Sequence, residues 1–233
     1  MLRSGICFFS LIIMNMYVLA KSEIFRREVV GQEDTNILHA EGAHMQTLTF
    51  VTGNKSKFED MQRYFKQINP MIELVMCDLH VPEIQSLDIE KVAQAKAAYA
   101  WEKLQRPLIV DDGGVFIECY NRFPGTLAKY VVKGIGLEGI WRLAEKDPRA
   151  YFLACIVYQD EPGVSHIFSG ICYGKFIKPD TAIRNPEFPY QEIFVPNGAH
   201  TTYAQLREEG KVDSFSHRRM AIEKMNEFLA SRK

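Results

Sequence analysis

Residues 47–65 constrain the fold more than any other segment, because a strand pattern there runs through a tight turn into a helix pattern. Thr47 to Thr52 alternate in polarity and are rich in residues that favour strands. Gly53 and Asn54 then turn the chain, and the next segment repeats its large apolar residues at helical spacing, at Phe58, Met61 and Phe65. A strand that leads directly into an amphipathic helix is typical of α/β proteins.

The remaining patterns continue this mixture of strands and helices. Further strands are predicted at Ile72–Cys77, Pro107–Val110, Val115–Tyr120, Ala150–Gln159, His166–Ile177 and Ile193–Val195. Helices are predicted at Ile89–Leu104, at Gly139–Lys146 and from an N-cap at Ser216 onwards. Because hairpins and helical crossovers both occur, we predict an α/β fold in which helices pack on a mixed sheet.

Residues 1–44 differ from the rest of the chain and are interpreted as a leader and linker ahead of a domain at 45–233. An apolar run from Ile6 to Ala20 follows Arg3, so segment 1–20 resembles a signal peptide. The alternative is an unused upstream start codon, with Met45 opening the domain. The apolar run is short for a membrane-spanning helix, so no stable membrane association is expected.

Composition favours an enzyme that acts on a small molecule. The 28 Lys and Arg residues are scattered among 29 Asp and Glu residues, and the net charge is −1. A protein that binds a nucleic acid polymer usually carries a basic face, so this class is not expected. The five cysteines form no CxxC pair, and the three that lie in apolar runs, Cys119, Cys155 and Cys172, are interpreted as core residues.

Two motifs supply groups that can bind phosphate and metal. Thr52 to Lys57 span the turn and the start of a predicted helix, where backbone N–H groups and the helix dipole attract anions. Asp111-Asp112-Gly113-Gly114 follows the predicted strand at Pro107–Val110 and is interpreted as acids on a glycine-rich turn that can hold Mg²⁺. Glu83 is a second candidate ligand. Each motif alone is also the sequence of an ordinary polar turn.

Two later segments carry groups that can contact a purine. Ser216-His217-Arg218 opens the last predicted helix and can present donors to a carbonyl or a phosphate. Phe188-Pro189-Tyr190 offers two aromatic rings that can stack on a base. Taken alone, the first segment is equally a capped helix start, and the second is equally a pair of core aromatics.

A glycine-rich motif in the middle of the chain favours a different class of protein, a dinucleotide-binding one. Gly134 to Gly139 reads GxGxxG and follows the strand-like Lys129-Tyr130-Val131-Val132, which is the pattern of a dinucleotide-binding fold. A dinucleotide-dependent oxidoreductase is therefore an alternative. The helix predicted after the motif is short and the motif lies in the middle of the chain, so this signal is weak.

The order of the motifs resembles the inosine triphosphate pyrophosphatase (ITPase) family over essentially Met45 to Lys233. In chain order, the similar segments are Leu48–Phe58, Pro82–Gln85, Asp111–Gly114, Phe123–Gly125, Gly136–Gly139, Phe188–Tyr190 with Ile193–Pro196, Thr202–Ala204 and Ser216–Arg218. Gly136-Leu137-Glu138-Gly139 falls where that family has a helix start, which argues against the dinucleotide alternative.

The resemblance implies a fold, a reaction and a cellular location. The fold would be an elongated mixed sheet with flanking helices and two lobes around a central cleft, usually in a homodimer. The reaction would be Mg²⁺-dependent attack on the α-phosphorus of ITP, XTP or their deoxy forms, with release of pyrophosphate. Such substrates accumulate inside cells, which implies a cytoplasmic enzyme, or a secretory or organellar one if the leader is real.

The resemblance also implies roles for individual residues. Lys57 would neutralise the triphosphate, Glu83 would hold Mg²⁺, and Asp112 would orient or deprotonate the attacking water with Asp111 assisting at the metal. The residues implied to contact the phosphates are Thr52, Gly53, Asn54 and Lys211. Those implied at the base end are Phe188 as the stacking ring, His217 and Arg218 as readers of the 6-keto group, and Tyr190, Gln191 and Ser216 beside them.

Four places depart from the family pattern. Gly113 stands where a Ser or Thr is usual, Thr126-Leu127-Ala128 follows Phe-Pro-Gly where an aromatic and a Ser are usual, and Lys211 lies one residue farther from Ser216 than expected. Gln191 stands where the base end has an Asp, unless Glu192 takes that place after a local shift. We therefore predict a retained pyrophosphohydrolase with a changed or relaxed base preference. The alternative within the family is a nucleotide-binding protein that has lost catalysis.

Overall fold

The computed structural model describes residues 45–180 and 186–232, and the predicted leader and linker at 1–44 lie outside the described residues. The strands are β1 (Gln46–Val51), β2 (Ile72–Cys77), β3 (Leu108–Ile117), β4 (Pro124–Gly125), β5 (Arg149–Glu161), β6 (Val164–Phe176) and β7 (Phe194–Pro196). The helices are α1 (Lys55–Ile68), α2 (Ile89–Leu104), α3 (Ala128–Ala144), α4 (Tyr203–Glu208) and α5 (His217–Ser231), with 3₁₀ turns at Pro189–Glu192 and Val212–Phe215. Among the described residues, no helix has both the length and the apolar composition needed to span a membrane.

The strands form one mixed sheet in the order β2-β1-β3-β5-β6-β7, with β4 beside β3. β2, β1 and β3 run parallel, whereas the pairs that follow are antiparallel. Helical crossovers join the parallel strands and a tight hairpin joins β5 to β6, as the mixture of patterns in the sequence predicts. The predicted mixed α/β fold is confirmed.

β3 is one continuous strand, so the predicted turn at Asp111–Gly114 is wrong. The pairing of β3 with β5 runs without interruption from Leu108 opposite Gln159 to Ile117 opposite Ala150. Gly114 is required by packing rather than by a turn, because a Cβ there would come 2.8 Å from the ring of Phe116. The two glycines resemble a turn in the sequence, but the long ladder to β5 holds them extended.

α3 is longer than the predicted helix at Gly139–Lys146, and it overturns the dinucleotide alternative. It begins at Ala128 and is kinked at Gly136, whose φ of 66° and ψ of −179° are not helical. Residues 129–132 are therefore helical, whereas a dinucleotide fingerprint needs a strand before its glycines. Gly136 marks the start of the second helical half, where the ITPase pattern has its helix start.

Alternation of side chains along the strands divides one part of the sheet between two cores. On one face, Phe50 and Ile109 pack with side chains of α1 and α5. On the opposite face, Leu108 and Val110 pack against the small residues of α2, Ala93, Ala97 and Ala100. We call β1, β2, α1, α2 and α5, with the ends of the long strands beside them, the first lobe.

The opposite ends of the long strands carry a third core, which also contains side chains of α3, α4 and β7. Aromatic rings fill much of it, and those of Phe152 and Phe194 stack with centroids 4.0 Å apart. We call this part, together with β4, the second lobe. The two predicted lobes thus correspond to separate cores on one continuous sheet.

β3 extends beyond its neighbours on one side of the sheet. β1 pairs with it at Leu108 and Ile109, and β4 pairs with it at Val115 and Phe116. Between these pairings, Val110 to Gly114 expose an edge that no strand of the described chain covers. This stretch, here called the open edge, lies where the two lobes meet.

α5 rests directly on the backbone of β6. A Cβ added at Gly170 would overlap the carbonyl oxygen of His217 and would lie 2.8 Å from the amide nitrogen of Ala221. Both obstructing atoms belong to backbone, so they cannot rotate away as a flexible side chain could. The helix start, which Ser216 caps as predicted by accepting from the N–H of Arg219, is therefore fixed against the sheet.

Gly170→Ala is expected to lower the free energy of unfolding by about 2–3 kcal/mol, because α5 must move to admit the methyl group. Gly134→Ala is the matched control, since no described atom lies within 4 Å of its added Cβ and a helical glycine gains up to about 1 kcal/mol on conversion to alanine. Urea unfolding of both variants measures the difference, and equal midpoints would contradict the close contact.

Candidate active site

A cleft of about 1140 Å³ lies between the two lobes along the open edge. Lys57, Glu83 and Asp112 all line it, so the three side chains to which the resemblance assigns catalysis face one cavity. A concave site of this size at a junction is typical of small-molecule enzymes. The other walls lie within residues 51–54, 78–82, 126–133, 186–191 and 217–218.

The turn between β1 and α1 is organised by its own side chains. Oγ1 of Thr52 accepts a hydrogen bond from the N–H of Asn54 at 3.1 Å, and Oδ1 of Asn54 accepts one from the N–H of Lys57 at 2.8 Å. Asn54 is thus the N-cap of α1, and the positive end of the helix dipole borders the cleft. A Cβ at Gly53 would come 2.8 Å from the carboxylate of Asp78, which is exposed and can rotate away.

The two adjacent acids of β3 leave the strand on opposite faces. Asp111 follows the alternation of Ile109 and contacts Lys57 of α1 and Arg218 of α5. Asp112 follows the alternation of Val110 and contacts Lys96 of α2. Because successive side chains of a strand point to opposite faces, one sequence motif supplies two different environments.

Lys96 joins Asp112 to Glu83. Its Nζ lies 2.6 Å from Oε1 of Glu83 and 2.8 Å from Oδ2 of Asp112. Burial alone would lower the pKa of Lys96, but the two carboxylates outweigh it and raise that pKa. For Asp112, burial outweighs the lowering by Lys57 and Lys96, so the pKa of this carboxyl is raised. A raised pKa makes Asp112 a better proton acceptor than an ordinary Asp.

The sequence analysis does not identify Lys96. A signal for it exists, because Lys96 lies four residues from both Val92 and Ala100 and so occupies the apolar stripe of α2. A charged residue within such a stripe needs a buried partner. The partner comes from β3, which only the folded chain brings close.

Asp111 is fully buried and is held by two cations. Its Oδ2 lies 3.0 Å from Nε of Arg218 and 3.3 Å from Nζ of Lys57. Lys57 also donates a hydrogen bond to the backbone oxygen of Asp111, at 3.1 Å. Burial would raise the pKa of Asp111, but the charges of Arg218 and Lys57 outweigh it and lower the pKa to about 2.

The buried charges continue from Arg218 towards the base end of the cleft. Arg218 lies 3.6 Å from Asp60, which also accepts two hydrogen bonds from Arg207, each of 2.8 Å. The guanidinium of Arg207 lies 5.6 Å from the ring centre of Phe188, which lines the cleft. Alternating charges thus connect the open edge to the predicted stacking residue.

The remaining base-end residues are buried in the cleft wall. His217 packs its ring against Phe152 and Tyr203, with centroids 5.5 and 6.0 Å apart. Burial, with the charge of Arg218 as the next cause, lowers the pKa of His217 to about 3. Tyr190 donates a hydrogen bond to the backbone oxygen of Ala128 at 2.9 Å, and Gln191 lies beside it in the 3₁₀ turn.

Two predicted substrate contacts lie elsewhere. Lys211 is exposed and its Nζ lies 2.8 Å from Glu209, and it is not among the described residues that line the cleft. Ser216 is buried, but its hydroxyl caps α5. The structure therefore brings neither side chain to the cleft: Lys211 follows a turn that directs it to its neighbour, and Ser216 shapes the helix that carries His217.

Glu83 and Asp112 are the acids that can share a divalent cation. Within the described residues, no group of three or more His, Cys, Asp or Glu side chains forms a ready metal site. The two carboxylates nevertheless converge on one ammonium group, which shows that they can contact the same cation. Mg²⁺ commonly takes one or two carboxylates together with phosphates of the substrate, so these donors fit it.

The chain is similar to the Ham1 family and to archaeal enzymes named dITP/XTP pyrophosphatase. A model described as the Ham1 family matches residues 48–228. The dITP/XTP pyrophosphatase of Thermococcus kodakarensis is 34% identical over 184 residues, which cover 78% of this chain and 96% of that protein. The dITP/XTP pyrophosphatase of Saccharolobus solfataricus is 36% identical over 183 residues, which cover 78% of this chain and 92% of that protein.

Solved structures show the same fold. The Ham1 protein of Staphylococcus aureus aligns with a TM-score of 0.64 and 27% identity, covering 81% of this chain and all of that one. A HAM1 protein from Coxiella burnetii aligns with a TM-score of 0.65 and 22% identity, covering 80% of this chain and all of that one.

The neutral, buried state of His217 makes the folded protein sensitive to acid. The unfolded chain protonates this histidine near its ordinary value of 6.5, whereas the folded protein does so only near 3. Stability is therefore lost as the pH falls below about 6.5, by up to about 1.4 kcal/mol per pH unit.

His217→Gln should make the plot of unfolding free energy against pH less steep between pH 6 and 4, by up to the slope of one proton. Denaturant unfolding at a series of pH values measures this, and His200→Gln, which removes an exposed histidine, is the matched control. Identical slopes for wild type and His217→Gln would show that His217 is not held neutral.

Proposed function

This chain belongs to the Ham1 family, and on that premise we propose that it is a nucleoside-triphosphate pyrophosphatase for deaminated purine nucleotides. The substrates would be ITP, XTP and their deoxy forms, and the products a nucleoside monophosphate and pyrophosphate. Relatives named dITP/XTP pyrophosphatase, 34–36% identical to this chain, support the proposal. The observation that carries it is that Lys57, Glu83 and Asp112 line one cleft beside the start of α1.

The triphosphate would bind at the turn between β1 and α1. Backbone N–H groups at a helix start and the positive end of the helix dipole attract phosphate oxygens. Lys57 adds a full charge at the same place, and it is already fixed by Asp111. Thr52 and Asn54 act mainly by shaping the loop, since both use side-chain oxygens to accept backbone N–H groups.

Glu83 and Asp112 would hold Mg²⁺. When bound, the metal would supply positive charge that polarises the phosphates and stabilises the charge that develops on them. Lys96 lies between the two carboxylates, so it keeps them close together before substrate arrives.

Asp112 would act as the general base. Its carboxylate lines the cleft, where it can accept a proton from a water molecule that attacks the α-phosphorus. A bond forms between the water oxygen and the α-phosphorus, and the bond from that phosphorus to the bridging oxygen of pyrophosphate breaks. The leaving pyrophosphate carries the electron pair away, and Lys57 offsets its charge.

The purine would lie at the second-lobe end of the cleft. The ring of Phe188 offers a stacking surface, and Gln191 and His217 lie in the same wall. His217 is neutral at physiological pH because of its burial, so it would contact the base as a neutral hydrogen-bonding group. The amide of Gln191 can both donate and accept, unlike the carboxylate of the family pattern, which favours an altered base preference.

We also propose a homodimer in the cytosol. The dimer rests on the family resemblance, and the cytosol on the place where such nucleotides accumulate. Sedimentation velocity and localisation of the native protein test the two statements.

A panel of ITP, dITP, XTP, ATP and GTP with Mg²⁺ tests the activity itself. We expect pyrophosphate release from the deaminated nucleotides with kcat/KM about tenfold or more above that for ATP, because the base end selects by hydrogen bonds in a buried wall. Binding of these nucleotides without any turnover would instead favour a family member that has lost catalysis.

Asp112→Asn should reduce kcat by about 100-fold or more, because an amide cannot take the proton of the attacking water. Nucleotide binding, measured by calorimetry, should remain. Asp147→Asn is the matched control, since Asp147 pairs with Arg149 at the surface and does not line the cleft. A fully active Asp112→Asn enzyme would remove Asp112 from the role of base.

A further inference from the structure

Asp111 lies in the cleft but apart from the group formed by Glu83, Asp112 and Lys96. It leaves β3 on the face of α1 and α5, whereas the other carboxylates meet on the side of α2. The family resemblance implies that Asp111 assists Asp112 at the metal, and the two acids are adjacent in the sequence. The pleat of the strand makes them different.

The contacts of Asp111 join the two ends of the cleft. The same oxygen, Oδ2, faces Lys57 from α1 and Arg218 from α5. Lys57 lies in the first turn of α1, beside the loop proposed to bind the triphosphate, and Arg218 follows His217 at the start of α5, where the resemblance implies contact with the base. Asp111 is therefore the one anion that contacts both Lys57, which is proposed to bind the phosphates, and Arg218, which is implied to contact the base.

We propose that Asp111 is a positioning residue that fixes Lys57 and Arg218 relative to each other, so that triphosphate binding and base recognition are coupled. The inference rests on the proposed pyrophosphatase function. It assigns to Asp111 a role in selecting the nucleotide rather than in holding the metal.

Burial explains why an anion is needed at this place. The side chain of Arg218 is only 5% exposed and that of Asp111 is fully buried, so neither charge can be compensated by water. Removing one partner of such a pair leaves the other uncompensated and displaces it. Without the charge of Asp111, Arg218 would turn towards Asp60, 3.6 Å away, and would lose its fixed position relative to Lys57.

Asp111→Asn is the test, made in the full-length protein alongside Glu83→Gln. We expect Asp111→Asn to lower the ratio of kcat/KM for ITP to that for ATP by about tenfold, while the Mg²⁺ concentration for half-maximal activity stays as in wild type. Glu83→Gln should raise that Mg²⁺ concentration by about tenfold or more. A raised Mg²⁺ requirement in Asp111→Asn, or an unchanged ITP-to-ATP ratio, would overturn the proposal.

Two further measurements keep the test decisive. If Asp111→Asn does not fold, Asp111→Glu keeps the charge but moves it by one methylene. It should lower the same ratio less strongly, again with an unchanged Mg²⁺ requirement, and an unchanged ratio or a raised requirement would overturn the proposal.

Calorimetric affinities for ITP and ATP, measured in an Asp112→Asn background with and without the Asp111→Asn change, give the ratio without turnover. Silence of the wild type on every nucleotide would defeat the proposed function, whereas an affinity ratio unaffected by Asp111→Asn would defeat the role of Asp111.

Discussion

The alternation of side chains along β3 is the constraint on which the whole site depends. The continuous ladder to β5 fixes the register of β3, and that register decides which face each acid occupies. A shift by one residue would exchange Asp111 and Asp112, placing the first beside Lys96 and the second beside Arg218. The absence of a described neighbour along Val110–Gly114 then gives substrate access to both faces from one edge.

The buried charges impose a cost that the fold must offset. Asp60, Arg207, Arg218, Asp111 and Lys57 alternate in sign from the base end to the phosphate end. Each ion lost several kcal/mol of hydration on burial, and partners on both sides compensate for this. Replacement by apolar residues is often neutral or favourable for stability, so the network is better understood as an arrangement kept for binding.

Much of the fold follows from local patterns, and the differences have long-range causes. The helix at Ile89–Leu104 and the strand at Ile72–Cys77 have the predicted bounds. Their periodicity and capping residues lie within the segment itself, so no distant part of the chain is needed to predict them. Gly113 and Gly114 predict a turn, which is absent because β3 pairs with β5 without interruption. Likewise α3 begins at Ala128 rather than at the predicted Gly139, because the β-branched Val131 and Val132 do not favour a helix locally.

The site shows the same division between local and long-range information. The order of motifs along the chain identified Lys57, Glu83 and Asp112, and the structure places all three in one cleft. Lys96 has no local signal for its partners, which lie far away in sequence. The role of Lys211 is implied by the family resemblance alone, and Glu209 holds this side chain at the surface.

The two ends of the cleft are built on scaffolds of different rigidity, which bears on how such an enzyme can diverge. Asp111 and Asp112 lie on a paired strand and Lys96 lies on a long helix, and both elements pack into cores that a change of their backbone would disturb. Gln191 and its neighbours stand on a 3₁₀ turn of four residues, and this turn is where the sequence leaves the family pattern most clearly. Substitutions in this turn can therefore accumulate while the hydrolytic centre stays intact. Related enzymes that share this centre can in this way come to hydrolyse different damaged nucleotides.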